Sequence, residues 1–202
     1  MLTTKTNLTL GLALAVAAGA VSAHVVLEQG TVPTGSSYRA TLRVGHGCDG
    51  LPTTSVIVAV PAGLQGAKPM PKAGWRLSTR VAPLAQPYTS HGKRVEQDVV
   101  EIRWEAMSAD AALPDAFYDE FVFRASVAAA PGVLWVPVTQ LCRDGAKEGR
   151  LDWTQLPAEG ARTAAGLKSP AAMLVVTEGA GLAPVGAASS ASGASGAGEH
   201  RH

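Results

Sequence analysis

Tyr38-Arg-Ala-Thr-Leu-Arg-Val44 decides the fold. Tyr38, Ala40, Leu42 and Val44 alternate with Arg39, Thr41 and Arg43, the period of two of a half-buried strand. The same reading spreads in both directions. Upstream, His24-Val-Val-Leu-Glu28 opens a strand and Val32-Pro-Thr-Gly-Ser-Ser37 marks a turn. Downstream, Ser55-Val-Ile-Val-Ala-Val60 is a continuous apolar run stopped by Pro61. Trp75-Arg-Leu-Ser-Thr-Arg-Val81 alternates again, as does Val99-Val-Glu-Ile-Arg-Trp104, where Val100, Ile102 and Trp104 share one face. Asp119 to Val127, Val133 to Cys142 and Arg150-Leu-Asp-Trp-Thr154 follow. About eight strands at fairly regular spacing, with no amphipathic helix among them, predict an all-β, two-sheet β-sandwich. Ala109 to Ala116 predicts at most a brief helical turn.

The ends read differently. Residues 1–23 have the form of a signal peptide: Lys5, an apolar core from Leu8 to Val21, and the small-residue site Val21-Ser22-Ala23. Residues 24–157 form the expected sandwich domain. Residues 158–202 are dominated by Ala, Gly and Ser, and Ala187 to Gly198 is low-complexity. Such a stretch buries too little apolar surface to offset its ordering entropy, so a flexible tail is expected there. Met173-Leu-Val-Val176 is its one candidate for an added edge strand, and Glu199-His-Arg-His202 ends it.

Seventeen basic and sixteen acidic residues leave the chain near neutrality. That excludes the electrostatic footprint of a nucleic-acid binder, and no basic run points to a membrane surface. After the leader no apolar run reaches the ~20 residues that span a bilayer. The expectation is an exported, periplasmic or secreted monomer. Its two cysteines, Cys48 and Cys142, most simply form a disulfide in an oxidising compartment, with soft Cu(I) ligation as the competing reading.

Cleavage after Ala23 would free the α-amine of His24 beside its own imidazole. Amine and Nδ1 of one residue close a chelate ring, and both nitrogens suit Cu(II). Asp49, in His46-Gly-Cys-Asp-Gly50, offers a carboxylate to complete an N/O site, and a Cys48–Cys142 bridge would bring it and His46 toward Trp153. An aromatic ring there would keep water from a metal. Each residue also has a plainer role. Asp-Gly makes turns, Trp153 fits a sandwich core, His46 fits a loop, and Met70 fits against Trp75.

Taken together, the motifs resemble the YcnI-like copper-binding domain family of exported bacterial proteins. They are His24-Val after the leader, Gly47-Cys-Asp-Gly-Leu-Pro-Thr-Thr54, Lys68-Pro-Met-Pro-Lys-Ala-Gly-Trp75, Leu113-Pro-Asp, Tyr118-Asp-Glu-Phe-Val-Phe123, Val136-Pro-Val-Thr-Gln-Leu-Cys142 and Trp153. The resemblance implies an immunoglobulin-like sandwich that binds one Cu(II) through a single-histidine brace. It implies that His24 gives the amine and ring nitrogen, an acidic residue adds oxygen, and Trp153 lies against the metal. Asp49 stands where that acid belongs, although the family pattern has Glu, and Glu28 or a water is the substitute. His46 belongs to a His-Gly-Cys variant of the pattern and would give a second histidine if it swings in.

Copper sequestration or transfer to a transporter or acceptor protein is the leading expectation, and the chain is not expected to be an enzyme. A copper oxidase would need a second brace histidine, with only His46 and His91 available within the sandwich, and no flat aromatic platform for sugars is evident. A metal-free adhesion or interaction module is the other alternative, since sandwiches serve many roles.

Overall fold

A computed structural model gives the structure of the chain and describes residues 24–158 and 160–179. The expected signal peptide, the low-complexity stretch and His200 and His202 lie outside the described residues. In chain order the strands are β1 (Val26–Leu27), β2 (Thr31–Pro33), β3 (Ser37–Val44), β4 (Thr53–Ala59), β5 (Leu64–Pro69) and β6 (Trp75–Ser90). Then come β7 (Lys93–Ala106), β8 (Asp119–Val127), β9 (Gly132–Val136), β10 (Val138–Asp144), β11 (Lys147–Trp153) and β12 (Ala172–Thr177). A single 3-10 turn at Ala109–Ala111 falls where the brief helical turn is expected.

Two sheets make the sandwich, with strand orders β1-β3-β8-β5 and β11-β10-β4-β7-β6. Their facing residues follow from the alternation. Tyr38, Ala40, Leu42 and Val44 of β3 and Phe121, Phe123, Ala125 and Val127 of β8 are buried from one side. Val56 and Val58 of β4, Ile102 and Trp104 of β7, and Val136 and Val138 meet them from the other. Phe121 locks the layers: its ring lies 5.0 Å from Trp75 and 5.7 Å from Trp104, both edge-on.

The hairpin of β6 and β7 is longer than the alternation predicts. Among the described residues β6 pairs only with β7, and its register shifts between Arg80 and Val81 and again between Pro83 and Tyr88. An edge strand tolerates prolines, which carry no N–H for the ladder, so the chain stays extended through Pro83 and Pro87.

A third, small sheet has the order β2-β12-β9. It corrects the expected boundary at residue 157. β12 runs parallel to β2 and antiparallel to β9, and its Ala172, Leu174 and Val176 are buried in the common core. The connecting segment is tied down as well, since the Gln155 carboxamide oxygen accepts the backbone N–H groups of Lys168 and Ser169, each at 2.9 Å. Composition alone undervalues this strand. Three inward residues and two partner strands supply the burial that an Ala-rich window lacks.

Candidate metal centre

His24 precedes β1, whose Val26 and Leu27 pair with Arg43 and Leu42 of β3. His46 follows the end of β3, and Trp153 closes β11 opposite Val138. The three side chains meet at this end of the sandwich. The His24 ring lies 5.1 Å from the Trp153 ring and the His46 ring 6.2 Å from it, both edge-on. Trp153 is thus a core residue, 7% exposed, and also the floor between two imidazoles.

Backbone carbonyls set the tautomers. Nε2 of His24 lies 3.2 Å from the Lys168 carbonyl oxygen. A carbonyl only accepts, so Nε2 carries the proton, and in the neutral ring the lone pair falls on Nδ1. Nδ1 of His46 faces the Gly47 carbonyl at 2.5 Å, which by the same argument puts the His46 lone pair on Nε2. Lys168 belongs to the segment expected to be tail, so folding of residues 155–171 is what brings this carbonyl to His24.

A buried glutamine that the sequence reading passed over holds the floor. Gln140, 1% exposed, accepts the Trp153 indole N–H at 3.3 Å. Its amide donates to the His46 carbonyl and to Thr53 Oγ1, each at 2.6 Å. The expected Cys48–Cys142 disulfide is formed, with Cα atoms 5.8 Å apart, and Cys142 sits two residues beyond Gln140 on β10. The bridge therefore ties the His46 loop to the strand that supports Trp153.

The carboxylates are arranged differently from expectation. Asp49 is exposed at the tip of a two-residue turn in which Cys48 and Leu51 exchange both backbone hydrogen bonds at 3.0 Å. Its φ of 49° and Gly50's of 84° are left-handed, as Asp-Gly in such a turn adopts most readily. Glu28 is ion-paired with Arg43 at 2.7 Å. Asp115, in the Leu113-Pro-Asp motif, accepts the Gly47 N–H at 2.9 Å and so stands beside the residue after His46. Among the described residues no three His, Cys, Asp or Glu side chains are grouped closely enough to hold a metal ion. The His24 and His46 rings meet at Trp153, and neither Asp49 nor Glu28 is gathered to them.

No curated protein matches the chain in sequence. Among solved structures, the chain is similar to an uncharacterized protein from Nocardia farcinica described as having an immunoglobulin-like fold. The two share 20% identity over 76% of this chain and 97% of that one, with a TM-score of 0.55. That likeness fixes the fold as an immunoglobulin-like sandwich. A family model described as "Domain of unknown function (DUF1775)" matches residues 24–176, from the candidate ligand His24 into β12. The chain belongs to this DUF1775 family, the same family as the YcnI-like domains that its motifs resemble.

Proposed function

We propose that this chain is an exported copper-binding protein that holds one Cu(II) as cargo through a single-histidine brace, for sequestration or for delivery to a transporter or acceptor protein. The observation that carries the reading is the hydrogen bond from His24 Nε2–H to the Lys168 carbonyl. It directs the ring's lone pair to Nδ1, the nitrogen that forms a chelate with the residue's own α-amine. His24 supplies both nitrogens once the leader is cut after Ala23. Asp49 supplies the carboxylate, and its place at a turn tip means that the 49–50 turn must move toward His24 when copper binds. Trp153 shields the ion, and His46, across the indole, offers a second ring nitrogen if its loop swings in.

Export is supported by the disulfide and by the leader-like sequence. No helix among the described residues is long and apolar enough to cross a membrane. A metal-free interaction module is the second reading, and it draws on Phe117 and Tyr118, 63% and 68% exposed beside Asp115.

The test compares a chain beginning at His24 with one carrying an additional N-terminal Gly. Both end after Gly179, which keeps β12 and leaves out His200 and His202. Cu(II) titration followed by EPR should give a tight type-2 signal in the first chain and lose it in the second. Equal binding in both would remove His24 from the site and favour the interaction module.

A further inference from the structure

At the other end of the four-stranded sheet, three cations stand abreast. The register places Arg39 of β3 opposite Arg124 of β8, and Arg124 opposite Lys68 of β5. All three are exposed on the outer face. The next rung sets Ser37 opposite Ser126 and Ser126 opposite Gln65. The β6–β7 hairpin folds its tip over this face, leaving a cleft of about 350 Å³ lined by Ser37, Lys68, Ser90, His91, Arg124 and Ser126.

Among the described residues no carboxylate oxygen lies within 4.0 Å of Arg39, Lys68 or Arg124, whereas on the same face Arg43 meets Glu28 at 2.7 Å and Glu120 at 3.7 Å. Arg124 donates to the Ser37 hydroxyl at 2.9 Å and Arg39 to Thr41 Oγ1 at 2.7 Å. Asp98, which reaches the cleft's Gly66, is already occupied by the N–H groups of Gly66 and Val99 and by the Tyr88 hydroxyl. The larger cleft over the five-stranded sheet differs: its Arg143 pairs with Glu148 and its Arg150 with Asp152.

Like charges directly opposite one another on neighbouring strands destabilise a sheet. Here they come with hydroxyl donors, a guanidinium fork, an ammonium and an imidazole in one concave site. That donor-rich set matches a tetrahedral oxyanion, which accepts from Arg as a fork and from Lys as a point charge. We propose that the cleft between the β6–β7 tip and the β3-β8-β5 face binds a phosphate-type oxyanion, as inorganic phosphate or a small phosphate ester. The site is independent of the copper reading and lies on different residues.

The test titrates inorganic phosphate into the copper-free chain at ionic strength held constant with sodium chloride, which separates binding from screening. Backbone amide resonances of Lys68, Arg124 and Ser126 should shift and saturate. Saturating phosphate should raise Tm by about 2–4 °C. Lys68→Gln with Arg124→Gln should weaken binding about tenfold or more. Since both side chains are exposed and mutually repulsive, that variant should melt no lower than the parent when phosphate is absent. Arg43→Gln, on the same face but ion-paired, should bind phosphate as the parent does. Shifts that never saturate, or equal affinity in the parent and the double variant, would overturn the proposal. Phosphatidylglycerol vesicles separate the two sources of this chemistry. The donor groups lie in a concave site beneath the β6–β7 tip, so vesicles should neither bind nor compete, and vesicles that displaced phosphate would refute the small-anion assignment.

Discussion

Gln140 holds the Trp153 indole N–H at 3.3 Å from one end of its carboxamide, and grips the His46 carbonyl and Thr53 Oγ1 from the other. One buried side chain thus fixes the floor of the candidate metal centre and one of its walls. Removing it takes a hydrogen-bond partner from three polar groups in a largely buried site, which costs more than the hydrogen bonds are worth net. Gln140→Leu should therefore lower unfolding stability by about 2–4 kcal/mol in urea titrations. The indole N–H resonance of Trp153 should move in the same variant. An unchanged resonance would show that Trp153 is held by packing alone.

The strands were legible wherever one face is buried. The alternations in Tyr38–Val44 and Val99–Trp104 map directly onto β3 and β7, with Ile102 and Trp104 buried and Val100 half-buried. β12 is marked in the sequence only by Met173 to Val176, and its weight was underread because its stability comes from non-local pairing with β2 and β9, which an Ala-rich window does not show. The far arm of the β6–β7 hairpin was hidden by Pro83 and Pro87, which read as loop and prove harmless on an edge. At the site, His24, His46, the disulfide and Trp153 were readable because each is a rare residue type in a telling place. Gln140 sits in an ordinary strand run and Lys168 acts through a backbone carbonyl, so neither carries a side-chain signal. Asp115 in Leu113-Pro-Asp and Gln140 in Val136–Cys142 both lie in the motifs, but only the fold sets them beside Gly47 and Trp153.

The core position of β12 makes truncation a sharp test. A chain ending at Pro157 loses Leu174 and Val176 and leaves β2 without its parallel partner. It should express poorly or unfold non-cooperatively, whereas a chain ending after Gly179 should melt like the full chain. The shorter chain should also lose the Lys168 carbonyl and, with it, the fixed His24 tautomer.

Cys48 and Cys142 are 94 residues apart, and reducing or replacing the pair should cost up to about 4–5 kcal/mol by loop-closure entropy. Gly149 pairs with Cys142 on β11, and a Cβ there would fall 2.7 Å from the Cys48 Cβ and 3.2 Å from Leu51 Cδ1. Gly149→Ala should therefore destabilise by about 1–3 kcal/mol through crowding against the bridge. Gly145→Ala serves as the comparison for turn strain, because its φ of 57° is left-handed and its Cβ would meet nothing within 4 Å. Chemical denaturation of the three variants should separate bridge, crowding and strain.

The hydroxyl of Tyr38, 1% exposed, donates to the Gln29 carbonyl at 2.6 Å, and burial pushes its pKa up from 10.0 to about 12. Tyr88 rises to about 12 too, through burial first and then its hydrogen bond to Asp98 and that residue's charge, partly opposed by the Gly66 backbone. The folded protein holds both groups neutral more strongly than the unfolded chain does. Their stabilisation is therefore fully present below pH 10 and is lost as pH climbs through 12. For the buried Tyr38 the shift corresponds to about 2–3 kcal/mol. Absorbance at 295 nm should show two of the three tyrosines ionising only near pH 12 or on unfolding. Tyr38→Phe should make the decline of stability between pH 10 and 12 shallower. A decline that begins well below pH 10, or one with the same slope in both proteins, would place the alkaline sensitivity elsewhere.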